Sequence, residues 1–374
     1  MTGAFAERLK FKSFMVFIVL WELLVYYPLA HWIWGGGWLG KWGTLDFAGG
    51  IVIHTSAGIG SLIAALYLGR RKHFFDFMGE FPPSNLPLAA TGGALLWIGW
   101  FGFNGGSALA SGPVAVSAIT STQVGCSCGA FAWLMLSWLK EKPQSVALMN
   151  GALAGLAGIT PASGYINTPA SIALGFTFGI ASFYSVVLMK HHLHIDDALD
   201  VSSVHGLTGM LGALGLGFFA QLRIDPLGGA DGAFYGHPMQ LVYQLVGILV
   251  ALAWAGFWTF VLLKGLDLVT KGGIRIGDDE EEVGMDWAEH HEIAYHKLHV
   301  LDDAEKASQA EAPTYTHVDN HSANGAYQPM LDDVSLSHVA PGASASPPVN
   351  KIASAMDRMS MPSTLNYKRA SPNH

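Results

Sequence analysis

Two histidines stand inside long apolar runs, each with an aspartate shortly before it. In the run 46–69, DFAGGIVIHTSAGIGSLIAALYLG, Asp46 precedes His54 by eight positions. On a helix that spacing is a turn of roughly 80° and an advance of roughly 12 Å. The carboxylate would sit near one membrane surface and the imidazole well inside. Ionisable groups at such depth are costly, so they face a bundle interior or a pore. The run 200–220, DVSSVHGLTGMLGALGLGFFA, repeats the pattern with Asp200 and His205. Two helices built alike, each placing one imidazole in the membrane, point to paired halves with a site between them. A facing pair of imidazoles can share one N–H, which fixes both tautomers. Such a pair lines a narrow path with hydrogen-bonding groups and can relay a proton. Taken singly, each histidine could equally be a buried ring bonded to a neighbouring helix. Metal binding fits poorly, because no Cys, Asp or Glu joins the two at ligand spacing.

Other residues have two readings each. Asp46 could meet a cation directly, but its place at a helix start makes it a cap for the Gly49 and Gly50 amides, with longer-range help to cation recruitment. Asp200 reads as a cap in the same way. Trp34, in HWIWGGG, lies at the end of the first apolar segment, where tryptophans commonly form an interfacial belt. An indole face there could instead attract a small cation, worth roughly 0.5–2 kcal/mol. Ser107, in FNGGSA, could accept a hydrogen bond from the same cation; otherwise a membrane serine bonds its own backbone. Phe103 is four residues earlier, on the same helical face, and by itself reads as packing. Glu22, in VLWELL, faces the bundle or a subunit contact and carries no functional reading.

The elements that position these residues are apolar segments. The 374 residues are 51% hydrophobic and 13% charged, which is the balance of a polytopic membrane protein. Eight segments are long enough to span, allowing for tilt: 13–33, 46–69, 86–107, 113–139, 146–163, 169–190, 201–222 and 238–263. Gly and Ala recur within them, as in GALAGLAG (151–158), so the helices can approach closely. One set of loops holds Arg8, Lys10, Lys12, Arg70, Arg71, Lys72, Lys140, Lys142, Lys190, Lys264 and Lys271; the alternate set holds Lys41 and Arg223. That imbalance puts the first set, and both termini, in the cytoplasm. The two histidines then approach the membrane middle from opposite sides. No cleavable signal peptide is expected, because the apolar run after Lys12 is too long. A net charge of −8, drawn partly from Asp278 to Glu282, argues against nucleic acid as a partner. Cys126 and Cys128 point about 200° apart on a helix and read as packing residues.

Three stretches, DFAGGIVIH (46–54), GWFGFNGGSA (99–108) and DVSSVHG (200–206), in this order and at these separations, closely resemble the ammonium transporter family (Amt/Mep/Rh), nearest its Amt and fungal Mep branches. The resemblance runs from Met1 to about His296. It implies an all-α polytopic membrane protein, here with about eight of the family's eleven transmembrane helices, that assembles as a homotrimer in the plasma membrane. It implies no enzyme activity and no cofactor or metal. His54 and His205 match the family's twin-histidine pore, Trp34 its outer-vestibule tryptophan with Ser107 and Asp46 beside the substrate, and Phe103 its pore gate; Trp100 lines the same path. The implied function is recruitment of ammonium at the outer vestibule, its deprotonation, and conduction of ammonia past the histidines with a proton relay.

The stretch GAFAERLKF at the start resembles the end of the family's third helix. The expectation is therefore of a chain lacking the first three helices, including an outer phenylalanine that stacks over Phe103. A shortened, non-transporting subunit that associates with full-length partners is the competing reading. A gas channel for ammonia or carbon dioxide is a third. The expected division is a transmembrane domain over 1–271, a cytosolic segment over 272–300 and a disordered tail over 301–374. Ser360 and Ser371 each follow an arginine by two positions in that tail, as a basic-directed kinase would require.

Overall fold

The computed structural model describes residues 1–140 and 142–292. Among these the chain is helical, with no β-strand beyond one isolated bridge between Leu9 and Arg275. Each of the eight apolar segments forms a helix. Helix α1 runs Phe11–Trp21, through a π turn at Glu22–Tyr26, into Tyr27–Ile33; α2 is a π turn at Gly50–Thr55 followed by Ser56–Leu68. Then come α3 (Leu86–Gly106), α4 (Pro113–Lys140), α5 (Ser145–Ile159) and α6 (Thr168–Val187, continued by a π turn at Leu188–His192). A π turn at Ser202–Leu207 leads into Thr208–Phe219 as α7, and α8 is Met239–Val269. By length and composition six of these are long and apolar enough to cross a membrane, and α5 and α7 are the shorter ones.

Local sequence sets several boundaries. Asn85 and Asn167 each precede a Thr-Pro or Leu-Pro start, and each side-chain oxygen accepts from an amide three residues on, Leu88 at 2.8 Å and Ala170 at 3.0 Å. That is the expected N-cap, with proline where a missing N–H costs nothing. Gly69, at φ +79°, ends α2. The four π turns hold Glu22, His54, Lys190 and His205. A π turn inserts one residue into the helical register and re-aims the side chains around it. Glu22 stands exposed on its turn, beside a cavity of about 260 Å³ that Trp21, Ile53 and Ser56 also line.

Small residues bring the helices together. A Cβ on Gly155 would strike the Gly125 carbonyl, and one on Gly158 would strike the Phe178 ring. Helix α4 therefore lies against α5 with backbones almost in contact, and α6 packs on both. The crossing of α2 and α7 is tighter still, since a Cβ on Gly58 would coincide with the Gly206 backbone. The two run antiparallel: Gly206 meets Gly58, while Gly209, further along α7, meets Gly50 and His54, further back along α2. Helix α3 is the barest, with Trp100, Asn104 and Gly105 its buried residues and leucines such as Leu88 and Leu95 exposed. Its buried edge is the edge that carries the site.

Charged residues gather where α2 ends and α7 begins. The buried Asp196 carboxylate accepts from the Arg71 backbone at 2.8 Å and from its guanidinium at 2.9 and 2.8 Å, and pairs with Arg8 at 2.9 Å. Burial pushes the Asp196 carboxyl up, but the Arg71 hydrogen bonds and the Arg8 charge outweigh it, so the group sits below the ordinary carboxylate range. Residues 274–276 run beside 8–10, with the Lys10 amide on Ile274 O at 2.9 Å and the Ile276 amide on Arg8 O at 3.0 Å. Two short helices, Asp278–Val283 and Met285–His290, follow.

Candidate functional site

The site begins with two helix starts. Both oxygens of the buried Asp46 carboxylate are taken up by amides: Gly49 and Gly50 at 2.8 and 2.7 Å on one, Ile51 and Val52 at 2.7 and 3.0 Å on the other. These are the donors that a helix leaves without partners in its first turn. Sequence reasoning had named two of the four. Gly49, at φ +119°, makes the turn that lets one side chain reach them all. With four amides already bound, little of the carboxylate is left to meet a cation.

At the start of α7 the cap is a different aspartate from the one expected. Asp197 Oδ2 accepts from the Ser202 amide at 2.6 Å and the Ser202 hydroxyl at 2.7 Å. Asp200 instead sits at φ +55°, pairs through its carboxylate with Lys190 at 2.9 Å, and offers its backbone carbonyl to Val204. The physical reason is reach: a residue in a left-handed conformation two positions before the turn aims its side chain away from the first amides. The spacing was the missed signal, because Asp197 precedes His205 by eight positions, as Asp46 precedes His54.

These starts and the Gly58–Gly206 crossing bring the imidazoles face to face. His54 Nδ1 and His205 Nδ1 are 3.3 Å apart, with ring centroids at 5.3 Å and planes 28° apart. Whichever ring donates, the pair holds one proton between the two Nδ1 atoms. The donor ring then keeps a lone pair on its Nε2, and the acceptor ring carries an N–H on its own. His54 Nε2 is buried with no hydrogen-bond partner. A polar atom left open at that depth is costly unless something transient fills it. The pair can therefore accept a hydrogen bond at one end and donate at the other; the two ends reverse when one ring takes up a proton at its open Nε2, passes the shared proton across, and the other ring releases the proton on its Nε2.

Helix α3 covers the pair. Trp100 stacks on His54 at 5.4 Å and 20°, and on His205 at 6.3 Å and 17°. Its Nε1 donates to Thr160 Oγ1 at 3.0 Å, which in turn donates to Leu156 O at 2.7 Å, so the indole is held from α5. Thr160, 60 residues from Trp100, was not singled out in the sequence, and nothing in its local pattern marks it. Phe103 lies 5.6 Å from Trp100 and 6.2 Å from His54, and 39% of it is exposed. Ser107 Oγ donates to Phe103 O at 2.8 Å, which leaves its lone pairs free to accept from a cation. Trp34 Nε1 donates to Asp46 O at 2.7 Å, while 43% of the residue stays exposed. The same loop thus fixes Trp34 and begins α2.

Among the described residues no group of three or more His, Cys, Asp or Glu could hold a metal ion. Cys126 and Cys128 are both free thiols. Ser360, Ser371 and residues 293–296, where the family resemblance ends, lie outside the described residues.

Comparison with known proteins gives one family. The model of the Ammonium Transporter Family matches residues 1–295. Ammonium transporter 1 of Dictyostelium discoideum is 62% identical over 299 residues, covering 80% of this chain and 64% of the relative. Ammonium transporter Amt1 of Archaeoglobus fulgidus is 41% identical over 295 residues, covering 79% and 73%. The crystal structure of Saccharomyces cerevisiae Mep2 superposes with a TM-score of 0.68 at 35% identity, over 74% of this chain and 64% of Mep2. The chain thus spans just under two thirds of the length of the Dictyostelium and yeast relatives. With the helices, the two capped starts and the facing histidines in the same frame, the chain is an integral membrane protein of the ammonium transporter family.

Proposed function

We propose that this protein carries ammonium across the plasma membrane and that its chain conducts ammonia past His54 and His205. The observation that carries the proposal is the Nδ1–Nδ1 contact of 3.3 Å between two buried imidazoles. An ammonium ion reaches the outer end, where the indole face of Trp34 and the hydroxyl of Ser107 attract it. Asp46 adds negative charge at that end while its carboxylate holds the start of α2. Phe103 separates this vestibule from the pore. A bare cation entering an apolar path would lose its hydration at large cost. Loss of one proton makes ammonia, which crosses as a neutral molecule. It donates to the open Nε2 of one ring and accepts from the Nε2–H of the other, while the shared Nδ1 proton offers a relay for the one released. Trp100 holds both rings in register. No bond other than N–H is broken, so the protein acts as a transporter and not as an enzyme.

The chain is read as a homotrimer on the family resemblance. The gathering of Arg8, Arg71 and Lys72 at one end of α2 supports a cytoplasmic placement of that end and of both termini. Residues 1–271 then form the membrane domain, 272–300 a cytosolic segment and 301–374 a regulatory tail. The test is ammonium uptake by the protein reconstituted in vesicles. His54→Ala and His205→Ala should each lower flux at least tenfold and weaken discrimination against potassium. Unchanged flux and selectivity in both variants would overturn the assignment.

A further inference from the structure

The turn after α2 meets the acidic helix Asp278–Val283 through a histidine placed between two carboxylates. His73 Nδ1 lies 2.8 Å from Asp76 Oδ2, and its Nε2 lies 3.5 Å from Glu282 Oε2. The second distance is that of an ion pair and not of a good hydrogen bond, and Nε2 is buried without a hydrogen-bond partner. In the neutral ring the proton sits on Nδ1, where Asp76 accepts it. Nε2 then turns a lone pair toward the Glu282 carboxylate, which is repulsive. Protonation places an N–H on Nε2 and makes the same contact attractive.

Each charge around His73 can be named. Asp76 comes from its own turn and Glu282 from the acidic helix. Lys72, next in sequence, pairs with Glu282 at 2.6 Å, and its backbone donates to Glu281 at 2.8 Å. Asp278 and Asp279 add negative charge around Lys72, and Arg275 pairs with Glu281 at 2.8 Å. Lysine, arginine and paired carboxylates hold their charge across the neutral range. Within this cluster His73 is the group whose charge changes there.

We propose that His73 and Glu282 form a pH-sensitive latch, which holds Asp278–Val283 against the turn after α2 when His73 is protonated and loosens it when His73 is neutral. The hydrogen bond to Asp76, reinforced by Glu282, raises the His73 pKa above its ordinary value. A raised value means that the added docking strength is complete below the ordinary histidine pKa and is lost as pH rises through the raised one. The strap formed by residues 274–276 along 8–10 rests on backbone bonds, on the Ile274 amide bonded to Asp267 Oδ1 at 3.1 Å and on the Arg275 guanidinium, and contains no histidine. Only the acidic helix should therefore respond, and it reports proton activity on the side of the membrane where it lies.

Hydrogen–deuterium exchange on the full chain in lipid nanodiscs tests this, between about pH 6 and about pH 8.5 with rates corrected for intrinsic chemistry. The amides of Glu281 and Gly284, bonded to Gly277 and Glu280, should lose protection about three- to tenfold as pH rises. Those of Ile274 and Ile276 should not change. His73→Gln, which is neutral throughout, should give a flat profile, and Glu282→Gln should flatten it from the other partner. A flat wild-type profile, or a pH dependence that survives His73→Gln, would overturn the proposal; the wild-type profile decides even where a variant fails to fold.

Discussion

Asp197 Oδ2 accepts both the amide and the hydroxyl of Ser202, at 2.6 and 2.7 Å, and so fixes the first turn of the helix that carries His205. Asp46 does the same for the helix that carries His54, through four amides. Both carboxylates are buried, and each stands eight positions ahead of its imidazole. The two helices run antiparallel, so two local caps set one long-range distance.

Asp197→Ala should therefore destabilise the protein by about 1–2 kcal/mol, the usual worth of an N-cap. Asp197→Asn keeps an acceptor and should cost less. Denaturant unfolding in detergent, followed by tryptophan fluorescence, would measure both. Wild-type stability in Asp197→Ala would mean that Ser202 finds another partner and that the cap is dispensable.

Much of this arrangement was legible in the sequence, for physical reasons that also mark where legibility ends. Apolar length is a one-dimensional property, so all eight helices could be read from runs of residues. His54 and His205 were legible because an imidazole in such a run is expensive and needs a purpose. The cap of α7 was misplaced because Asp197 and Asp200 lie three residues apart and both precede an apolar run; only the eight-residue spacing separates them. The π turns depend on hydrogen-bond register, to which hydrophobic pattern is blind. The Thr160 anchor of Trp100 and the Arg8–Asp196–Arg71 cluster join distant loops and helices, and polar residues there carry no periodic signal.

The Gly58–Gly206 crossing makes a sharper demand. Gly58→Ala would place a methyl group on the Gly206 backbone, so α2 and α7 must separate and the imidazoles with them. Overpacking of this kind costs about 1–3 kcal/mol. Transport should fall further than stability, because the 3.3 Å contact is lost before the fold is. Gly92→Ala and Gly99→Ala are controls: both positions open onto free space in α3, and alanine there should be neutral or stabilising by up to about 1 kcal/mol. Thermal unfolding and vesicle uptake on the same preparations would separate the two effects. Full uptake by Gly58→Ala would show that the crossing does not set the pair.

Trp34 can be tested by splitting its two parts. Trp34→Leu removes both the aromatic face and the Nε1 bond to Asp46 O. Trp34→Phe removes the bond and keeps a weaker face. Loss of a cation–π contact of roughly 0.5–2 kcal/mol corresponds to a rise of about 2- to 30-fold in half-saturation for ammonium. Leucine should show that rise and phenylalanine a smaller one, at matched surface expression. Equal shifts in both would assign the effect to the lost hydrogen bond. No shift in either would make Trp34 an interfacial anchor.

The Asp196 cluster predicts an acid limb in stability. Asp196 is buried, and its carboxyl is held below the ordinary range by Arg71 and Arg8 against the opposing effect of burial. A depressed carboxyl contributes stability that is complete above its unfolded value, about 3.9, and is lost as pH falls through its lower folded value. Stability from this group should therefore persist to about pH 4 and fall below it. Asp196→Asn should remove that limb and also lower stability at neutral pH by about 3–5 kcal/mol, because Arg8 is left buried without its counter-charge and Arg71 keeps only the exposed Glu7 carboxylate at 2.7 Å. Arg71→Lys retains the charge but not the paired N–H geometry, so its loss should be smaller. Unfolding midpoints measured from about pH 3 to about pH 7 would check the shape. If Asp196→Asn matched the wild type at neutral pH, the guanidinium groups would have to be satisfied by other acceptors, such as the Gly69 and Ala4 carbonyls that Arg8 already meets.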